Sequence, residues 1–315
     1  MSLGHLVYFI EYRNLNIIWK QLMISFAEAL KMAISELKKP VISKFEIYYL
    51  ALDISKKSSY NGQPIRTQRK AFGFEKNSNL VRSLSSLNFI FQDSDFKSHY
   101  RVNTESNGNC DEVCCLVDPF CYLSHLSAMQ KYGLTNRIPE IVILTTAESK
   151  LWNQMKTNLE EKYRADFPNE TEYFHIKRAV FPATVRKMKI KVVESKFIHP
   201  SIQIRDSHTR ISEIGHTFLD MLANPELCGG MSHVIDVWKE NAKTYLDEII
   251  EAIDQSPKSI IKCRAGYIID EVLNIQNDRV NNWMKFAQRG GSRVLDPNSP
   301  YAPKFSEKWM ISINV

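Results

Sequence analysis

Residues 209–230 read TRISEIGHTFLDMLANPELCGG, and the second half of the chain is organised around this stretch. Five of its residues form one apolar face of a helix, with Asp220 beside it: Thr217, Phe218, Leu219, Met221 and Leu222. Asn224-Pro225 is expected to end that helix, because proline cannot continue it and disfavours helical geometry in the preceding residue. Gly229-Gly230 allows the left-handed turn before another helix. The stretch therefore predicts a buried helix, a tight turn and a second helix.

Four blocks of the sequence resemble the C-terminal half of AbiEi-family proteins and occur in that family's order. We call them the AbiEi-like blocks: HTFLDML at 216–222, PELCGG at 225–230, RAGYIIDE at 264–271 and SPYAPKFSEKWMISINV at 299–315. The resemblance extends over residues 111–315. Family members usually read close to E-R-T-L-L-D where this chain has GHTFLD at 215–220, so Gly215 and His216 replace a Glu-Arg pair.

The resemblance implies a DNA-binding autorepressor and antitoxin of a type IV toxin–antitoxin system. Its functional partner would be a nucleotidyltransferase-type toxin, which such an antitoxin need not contact directly. The residues that match the family pattern are Thr217, Asp220, Pro225, Glu226, Gly229, Gly230, Arg264, Gly266 and Tyr267. Among these, Asp220, Glu226 and Arg264 have two interpretations, because charged groups in such blocks either pair within the fold or contact a partner protein.

Length and composition indicate an ordinary globular protein with room for two domains. The chain has 315 residues, of which 44% are hydrophobic and 24% charged. No apolar run approaches the ~18–20 residues of a membrane span, and the first residues lack the basic start of a secretory signal. We therefore expect a cytoplasmic protein without a membrane partner.

The six cysteines do not form the framework of a disulfide-rich domain. Four of them cluster, at Cys110, Cys114, Cys115 and Cys121, but they lack the C-x2-C pairs that are typical of zinc sites. We expect buried thiols in a reducing compartment, and neither a metal nor a cofactor.

The positive charge is concentrated in the first third of the chain. Residues 1–104 hold 15 lysines and arginines against 8 acidic residues, whereas the remainder holds 26 against 27. The net charge of +6 therefore belongs to the first third. Such an asymmetry favours a polyanionic partner for that region.

The order of elements in residues 1–104 predicts a winged helix-turn-helix domain. An amphipathic helix at 24–37 precedes a helix that begins at the capping box Ser43–Glu46 and buries Phe45, Tyr49 and Leu52. Asn61-Gly62 signals a turn. A helix at 77–87 and a β-hairpin at 88–102 complete the pattern. A domain start at Met23, with residues 1–22 as an extension, fits this reading.

The predicted partner of this domain is double-stranded operator DNA. On the helix at 77–87, the side chains expected to approach base edges are Asn79, Arg82, Ser83 and Ser86. The side chains expected to contact phosphates are Arg66, Arg69, Lys70, Lys76, Lys97 and Arg101. The alternative is an ordinary helix and hairpin with a solvated polar face.

The polar stretch at 103–112 separates this domain from a mixed α/β C-terminal domain at 105–315, which makes the whole chain α+β. Strands are predicted at 113–117, 138–145, 171–181, 188–194, 202–205 and 309–315. Helices are predicted at 124–132, 147–163, 231–253, 259–273 and 278–289, with a left-handed cap at Gly133.

Catalytic signatures are weak. Phosphate-binding glycine loops, H-E-x-x-H and G-x-S-x-G are missing from the sequence. Asp93-Ser94-Asp95 spells the D-x-D of nucleotidyltransferases but lies in a predicted hairpin turn, where aspartate is favoured for local hydrogen bonds. His216 is expected to be structural.

The strongest enzymatic alternative is a metal-dependent nuclease. It rests on Glu194-Ser-Lys196, an E-x-K spelling that recurs at Glu148–Lys150 and for which no partner carboxylate can be named. A ligand-responsive transcription factor is a third possibility. We favour a non-enzymatic DNA-binding regulator over both.

Overall fold

The computed structural model describes residues 23–66, 74–168, 173–289 and 293–315, and it combines helices with several sheets. The α+β class predicted from the sequence is therefore confirmed. The described chain divides into two compact units. The first contains the described residues up to Asn109 together with Asn153–Phe181, and the second contains Cys110–Trp152 together with Pro182–Val315.

The first unit has three helices before residue 90. They are α1 (Phe26–Glu36), α2 (Lys44–Lys57) and α3 (Phe74–Ser86). The predicted capping box begins α2: the Ser43 hydroxyl accepts from the Glu46 amide, and the Glu46 carboxylate accepts from the Ser43 amide. Ser25 and Glu28 form the same arrangement at α1. Each box satisfies open backbone amides at a helix start.

The described residues of the first unit also contain six short strands. They are β1 (Ile24–Ser25), β2 (Val41–Ser43), β3 (Ser59–Tyr60), β4 (Gln63–Arg66), β5 (Ile90–Gln92) and β6 (His99–Val102). One sheet has the order β2-β6-β5, in which both pairings are antiparallel, and the other has the order β1-β4-β3. The predicted turn joins β3 to β4, where Asn61 and Gly62 both have positive φ.

Two clusters of buried side chains stabilise this unit. The larger one joins α1 and α2 to α3 and the hairpin, with Val81 and Leu84 as the buried residues of α3. The smaller one is aromatic and combines Tyr48 and Tyr49 of α2 with Phe174. The strand predicted at 171–181 is wrong over the described part, because residues 173–181 form no strand. Their aromatic side chains pack on α2 as an irregular segment.

The second unit is built on a six-stranded mixed sheet of order β11-β12-β7-β8-β10-β9. The strands are β7 (Tyr122–Leu123), β8 (Ile141–Ala147), β9 (Thr184–Val185), β10 (Met188–Ser195), β11 (Ser201–Gln203) and β12 (Arg210–Ser212). The longest pairing is parallel and joins β8 to β10 from Lys189–Ile141 to Ser195–Ala147. The predicted strands at 138–145, 188–194 and 202–205 are thus confirmed with small shifts.

The run at 113–117 is not a strand. It belongs to helix α4 (Cys110–Val117), which buries Val113, Cys114 and Val117. A short apolar run does not distinguish a buried strand from a buried helix by periodicity. The acidic residues Asp111 and Glu112 lie in the first turn of α4, where they favour a helix start. Helix α5 (His125–Lys131) and helix α6 (Ser149–Ala165) follow, and the predicted left-handed cap at Gly133 is confirmed.

The organising stretch folds as the sequence predicts. Helix α7 (Ile214–Ala223) ends at the cap residue Asn224, a single 3-10 turn follows at Pro225–Cys228, and Gly229 and Gly230 both have positive φ. The helix predicted over 231–253 is wrong in one respect, because it is two helices, α8 (Met231–Asn241) and α9 (Leu246–Gln255).

The break between α8 and α9 leaves no trace in the hydrophobic pattern. The predicted apolar face continues through the turn, from the buried Ala242 to the buried Ile249. The Thr244 amide donates to the Asn241 carbonyl, which closes a turn in place of a helical hydrogen bond.

The chain ends in a helical segment and a small two-stranded sheet. Helix α10 (Ser259–Tyr267) continues as a π-helical turn at Ile268–Val272. The helix predicted at 278–289 is shorter than expected, with α11 at Asp278–Asn281 and a 3-10 turn at Asn282–Phe286. Strands β13 (Phe305–Ser306) and β14 (Ile311–Ser312) pair antiparallel. None of the helices in the described ranges has the length and apolar character needed to cross a membrane.

Candidate functional site

The second unit carries a cleft where two parallel strands end. Strands β8 and β10 run side by side to Ala147 and Ser195, and helices α7 and α10 border the space beside their carboxyl ends. The cleft has a volume of about 100 Å³. Its polar lining includes His125, Thr145, His199, Asp220, Asn224 and Lys258. Ligands of α/β proteins commonly bind outside the carboxyl ends of parallel strands.

Asp220 is the acidic group of this cleft. It lies on α7 with 6% of its surface exposed, and its carboxyl accepts a hydrogen bond from the backbone N–H of His125. The Oδ2 atom is buried and has no hydrogen-bond partner in the part of the chain that the structure describes. Burial raises the pKa of Asp220 from its ordinary value to about 7, and the His125 hydrogen bond opposes that rise only partly. The carboxyl therefore changes its charge near neutral pH.

The ring of His125 makes two polar contacts, one at each nitrogen. Its Nδ1 atom lies 2.8 Å from the Ser124 hydroxyl, which accepts a hydrogen bond from Thr145, and its Nε2 atom lies 3.2 Å from the Asn224 amide nitrogen. Its φ of 51° is a left-handed value that residues other than glycine seldom adopt. Burial lowers the pKa of His125 to about 4, with smaller contributions from His199 and Lys191. The ring is therefore neutral at pH 7.

His199, which lines the same cleft, stacks against His216. Their ring centroids are 4.7 Å apart, and the planes are tilted by 32°. Burial, with help from His216 and Lys258, lowers the pKa of His199 to about 4. The predicted structural role of His216 fits this packing, since its side chain is buried beside the partly exposed Glu213.

Metal ligation has no geometric basis in the described part of the chain. No group of three or more histidine, cysteine or acidic side chains there could hold a metal ion. The clustered cysteines are buried without disulfides. The amide of Arg210 donates to Cys115 Sγ over 3.4 Å, and the Arg210 guanidinium binds backbone carbonyls of the same segment.

The residues that match the AbiEi pattern do not converge on one site. Asp220 alone among them lines the cleft. Thr217 shares a hydrogen bond of 2.8 Å with Ser212, and the exposed Glu226 accepts a hydrogen bond from Asn298. Pro225 is buried at the start of the 3-10 turn.

The residues of the third AbiEi-like block, at 264–271, make contacts within the fold. Arg264 is buried and binds two backbone carbonyls, and burial lowers its pKa to about 10. Gly266 faces the indole of Trp309, and Tyr267 is buried. Pairing within the fold is thus the arrangement that the structure gives Arg264.

The E-x-K residues lie outside the cleft. Val193 and Ser195 line it, whereas Glu194 and Lys196 do not. Successive side chains of a strand point to opposite faces, so Glu194 on β10 is directed away from Asp220 and the histidines.

In the first unit, α3 presents most of the residues predicted to read bases. Asn79, Arg82 and Ser86 are exposed, and Ser83 is half-buried. The Ser86 hydroxyl donates to the Ser83 carbonyl over 2.9 Å, so it is used partly within the helix.

The predicted phosphate contacts are spread over three elements. Arg66 is exposed on β4, Lys97 is exposed in the loop between β5 and β6, and the half-buried Arg101 on β6 donates to Asn107. Arg69 and Lys70 lie outside the described residues. Lys76 belongs to α3, but its side chain also lies outside the described part.

Asp93 has a local structural role. Its side chain is 2% exposed and accepts hydrogen bonds from the amides of Asp95 and Phe96, each 2.9 Å long. The interpretation of Asp93-Ser94-Asp95 as a turn is confirmed.

Asp220 is one of the residues predicted from the sequence, whereas His125 and His199 are not. His125 and His199 are distant from Asp220 in sequence, and each is a lone histidine without a neighbouring motif. His125 lies at the start of the helix predicted at 124–132, and nothing in its sequence neighbourhood marks it as a site residue. The chain matches no protein-family model and no curated protein.

Proposed function

We propose that the protein is a DNA-binding transcriptional regulator whose first unit is a winged helix-turn-helix. The observation that carries the proposal is the pairing of β2 with the hairpin. Strand β2 lies between α1 and α2 in the chain, and it pairs with β6, which in turn pairs with β5. Apart from β1 and from the paired strands β3 and β4 between α2 and α3, the order is helix, strand, helix, helix, hairpin, which together with this pairing supports a winged helix.

In this proposal α3 is the recognition helix. Val81 and Leu84 anchor one face in the core, while Asn79 and Arg82 project from the other. Arginine can bind guanine through two hydrogen bonds in the major groove, and asparagine can bind adenine in the same way. The polar face of α3 is therefore suited to base recognition.

The wing in this proposal is the loop between β5 and β6. It carries the exposed Lys97 and is shaped by the buried Asp93. A lysine at this place can contact a DNA phosphate as a point charge. The excess of seven positive charges in residues 1–104 supports binding to a polyanion.

The AbiEi resemblance extends the proposal to a biological role. An autorepressor of this kind would bind its own operator, and its second unit would act as the antitoxin against a nucleotidyltransferase-type toxin. The support for this extension is the order of the four AbiEi-like blocks in the sequence. The proposal assigns the protein no catalytic reaction.

The test is selection of bound duplexes from a random DNA pool by the full chain, followed by affinity measurements on the selected sequence. We expect a defined site, and a loss of roughly 5- to 150-fold in affinity with Arg82→Ala, since each bidentate base contact is worth about 1–3 kcal/mol. Arg205→Ala removes an equally charged side chain that is 95% exposed in the second unit, and it should bind DNA as the parent does. Absence of any enriched site, or equal effects of the two changes, would contradict the proposal.

A further inference from the structure

We propose that the cleft of the second unit binds a small ligand through a nitrogen-centred cation, an amidinium, guanidinium or primary ammonium group, which meets the side chain of Asp220. This inference goes beyond the proposed function, because DNA binding assigns no ligand to the second unit. It rests on an unsatisfied carboxyl oxygen, on the lack of a counterion and on the shape of the cleft.

Asp220 is a buried carboxyl with an unsatisfied oxygen. Asp220 lines the cleft and is more than nine-tenths buried, yet its Oδ2 atom has no hydrogen-bond partner among the described residues. Its only polar contact given by the structure is the amide of His125. A buried polar atom without a partner is costly, and most such atoms in folded proteins are satisfied by protein, water or ligand. Asp220 therefore brings a carboxyl with unused acceptor capacity to the wall of the cleft.

Asp220 also lacks a counterion among the described residues. Asp220 forms no ion pair with any residue that the structure describes. The histidines that line the cleft do not supply a charge, because burial lowers the pKa values of both His125 and His199 to about 4. A buried carboxylate is normally paired or neutralised. A ligand with a positive charge and N–H donors balances the charge of the Asp220 carboxylate and donates to its unsatisfied oxygen.

The size and lining of the cleft limit the ligand. A single water needs about 10–15 Å³ by a comparable measure, so a volume of about 100 Å³ holds more than one water. Leu219, Ala223 and Ile261 contribute apolar surface beside the carboxyl. These dimensions suit a small organic group with one charged end and exclude a large ligand from the buried part.

Lys258 limits the ligand further. Lys258 also lines the cleft as an exposed residue, and its charge helps to lower the pKa of His199. A fixed positive charge at this place disfavours a ligand with two cationic ends. The expected ligand is therefore a monocation with its charge at the buried end.

The test uses three small probes of nearly equal shape: acetamidinium, acetamide and acetate. Each is titrated into the full chain at neutral pH, and the ring resonances of the histidines are followed by NMR. We expect saturable shifts of His125 and His199 with acetamidinium, at an affinity at least tenfold higher than with acetamide, and no saturation with acetate. Equal binding of all three probes, tighter binding of acetamide or acetate, or no binding of acetamidinium would overturn the proposal.

A matched pair of variants locates the effect. Asp220→Asn keeps the shape of the side chain but removes its charge, and it should weaken acetamidinium binding at least tenfold. Asp236→Asn makes the same change at an exposed position on α8 and should leave binding unchanged. If Asp220→Asn binds acetamidinium like the parent, the site is not at Asp220 and the proposal is wrong. The comparison of probes on the unmodified chain decides the question even where Asp220→Asn folds poorly.

Discussion

The guanidinium of Arg264 donates to the backbone carbonyl of Leu222 over 2.7 Å, so one AbiEi-like block closes the helix formed by another. Its Nε atom donates to the Val294 carbonyl as well, over 3.0 Å. Leu222 lies in the last turn of α7, where carbonyl groups lack helical partners and a cation is favourable. The arginine thus stabilises the end of the organising helix.

Replacing Arg264 by methionine should destabilise the second unit by about 2–5 kcal/mol. The change leaves two buried carbonyls without donors, and each unsatisfied group costs about 1–3 kcal/mol. Denaturant unfolding would measure the loss. Arg279→Met is the control, because Arg279 forms a partly exposed pair with Asp254 that is worth at most about 1 kcal/mol. Equal losses for the two variants would contradict the structural role of Arg264.

Gly266 and Trp309 form a second contact between AbiEi-like blocks. A Cβ atom added at Gly266 would overlap the six-membered ring of Trp309. The indole cannot retreat easily, because it is fully buried and its Nε1 donates to Asp270 over 3.0 Å. Packing against Trp309 requires a glycine at 266, whereas the helical backbone there is one that other residues also adopt.

Gly266→Ala should therefore cost about 1–3 kcal/mol of unfolding free energy, as overpacking of a core typically does. The cost should shrink when Trp309→Leu opens the space, although that change is itself destabilising. A double-mutant cycle measured by denaturant unfolding isolates this coupling. Additive effects of the two changes would show that the ring does not limit the site.

Local signals in the sequence predicted local structure well. The Ser43–Glu46 box and the Asn61-Gly62 turn require only neighbouring residues, so their chemistry is visible in the sequence. Cys114 and Cys115 were assigned wrongly to a strand, because an apolar run of five residues fits either a buried strand or a buried helix turn. The choice between them is made by tertiary packing.

The cleft could not be predicted as a site. Asp220 meets the amide of His125, 95 positions earlier in the chain, and this contact exists only after the sheet and α7 have packed. The apolar pattern of α7 predicted a buried face correctly but placed Asp220 only beside it. The sequence alone does not show whether a carboxyl at the border of an apolar face becomes buried or stays exposed.

The buried Asp220 should make stability depend on pH. Its pKa in the folded chain is raised to about 7, so the folded state holds a proton that the unfolded chain releases near pH 4. The stability present at low pH is therefore lost as the pH rises toward about 7. Because each pKa unit corresponds to about 1.4 kcal/mol, the full loss is on the order of 4 kcal/mol.

Asp220→Asn removes this titration and should relieve the loss. The stability advantage of the variant over the parent should grow by roughly 3 kcal/mol between about pH 5 and pH 7.5. His125 has a lowered pKa and acts in the opposite direction, with stability lost as the pH falls below about 6.5, but it is common to both proteins and cancels in the difference. Denaturant unfolding at several pH values supplies the measurement. A difference that does not vary with pH would rule out a buried, titrating Asp220.

The last prediction separates base recognition from phosphate contact in the first unit. Lys97 and Asn79 are both exposed, one in the loop between β5 and β6 and the other on α3. A lysine that contacts a phosphate releases counterions, so Lys97→Ala should weaken binding to all duplexes alike and reduce the slope of log affinity against log salt by about 1. An asparagine that reads a base contributes to discrimination instead. Asn79→Ala should therefore weaken binding to the selected site by about 1–3 kcal/mol, with little change for unrelated duplexes or in the salt slope.

Fluorescence anisotropy with the selected duplex and with a scrambled duplex, each over a range of salt concentrations, distinguishes the two effects. Lys239→Ala is the control, because it alters an exposed lysine of the second unit and should change neither discrimination nor the salt slope. Asn241→Ala is unsuitable, because the Asn241 side chain donates a hydrogen bond within α8. Should Lys97→Ala alter discrimination while Asn79→Ala alters only the salt slope, the roles assigned to wing and helix would be reversed. Should both variants behave like Lys239→Ala, the surface formed by α3 and the loop between β5 and β6 would not be the one that meets DNA. A change in discrimination and a separate change in the salt slope are expected only if α3 and the loop between β5 and β6 both contact the duplex.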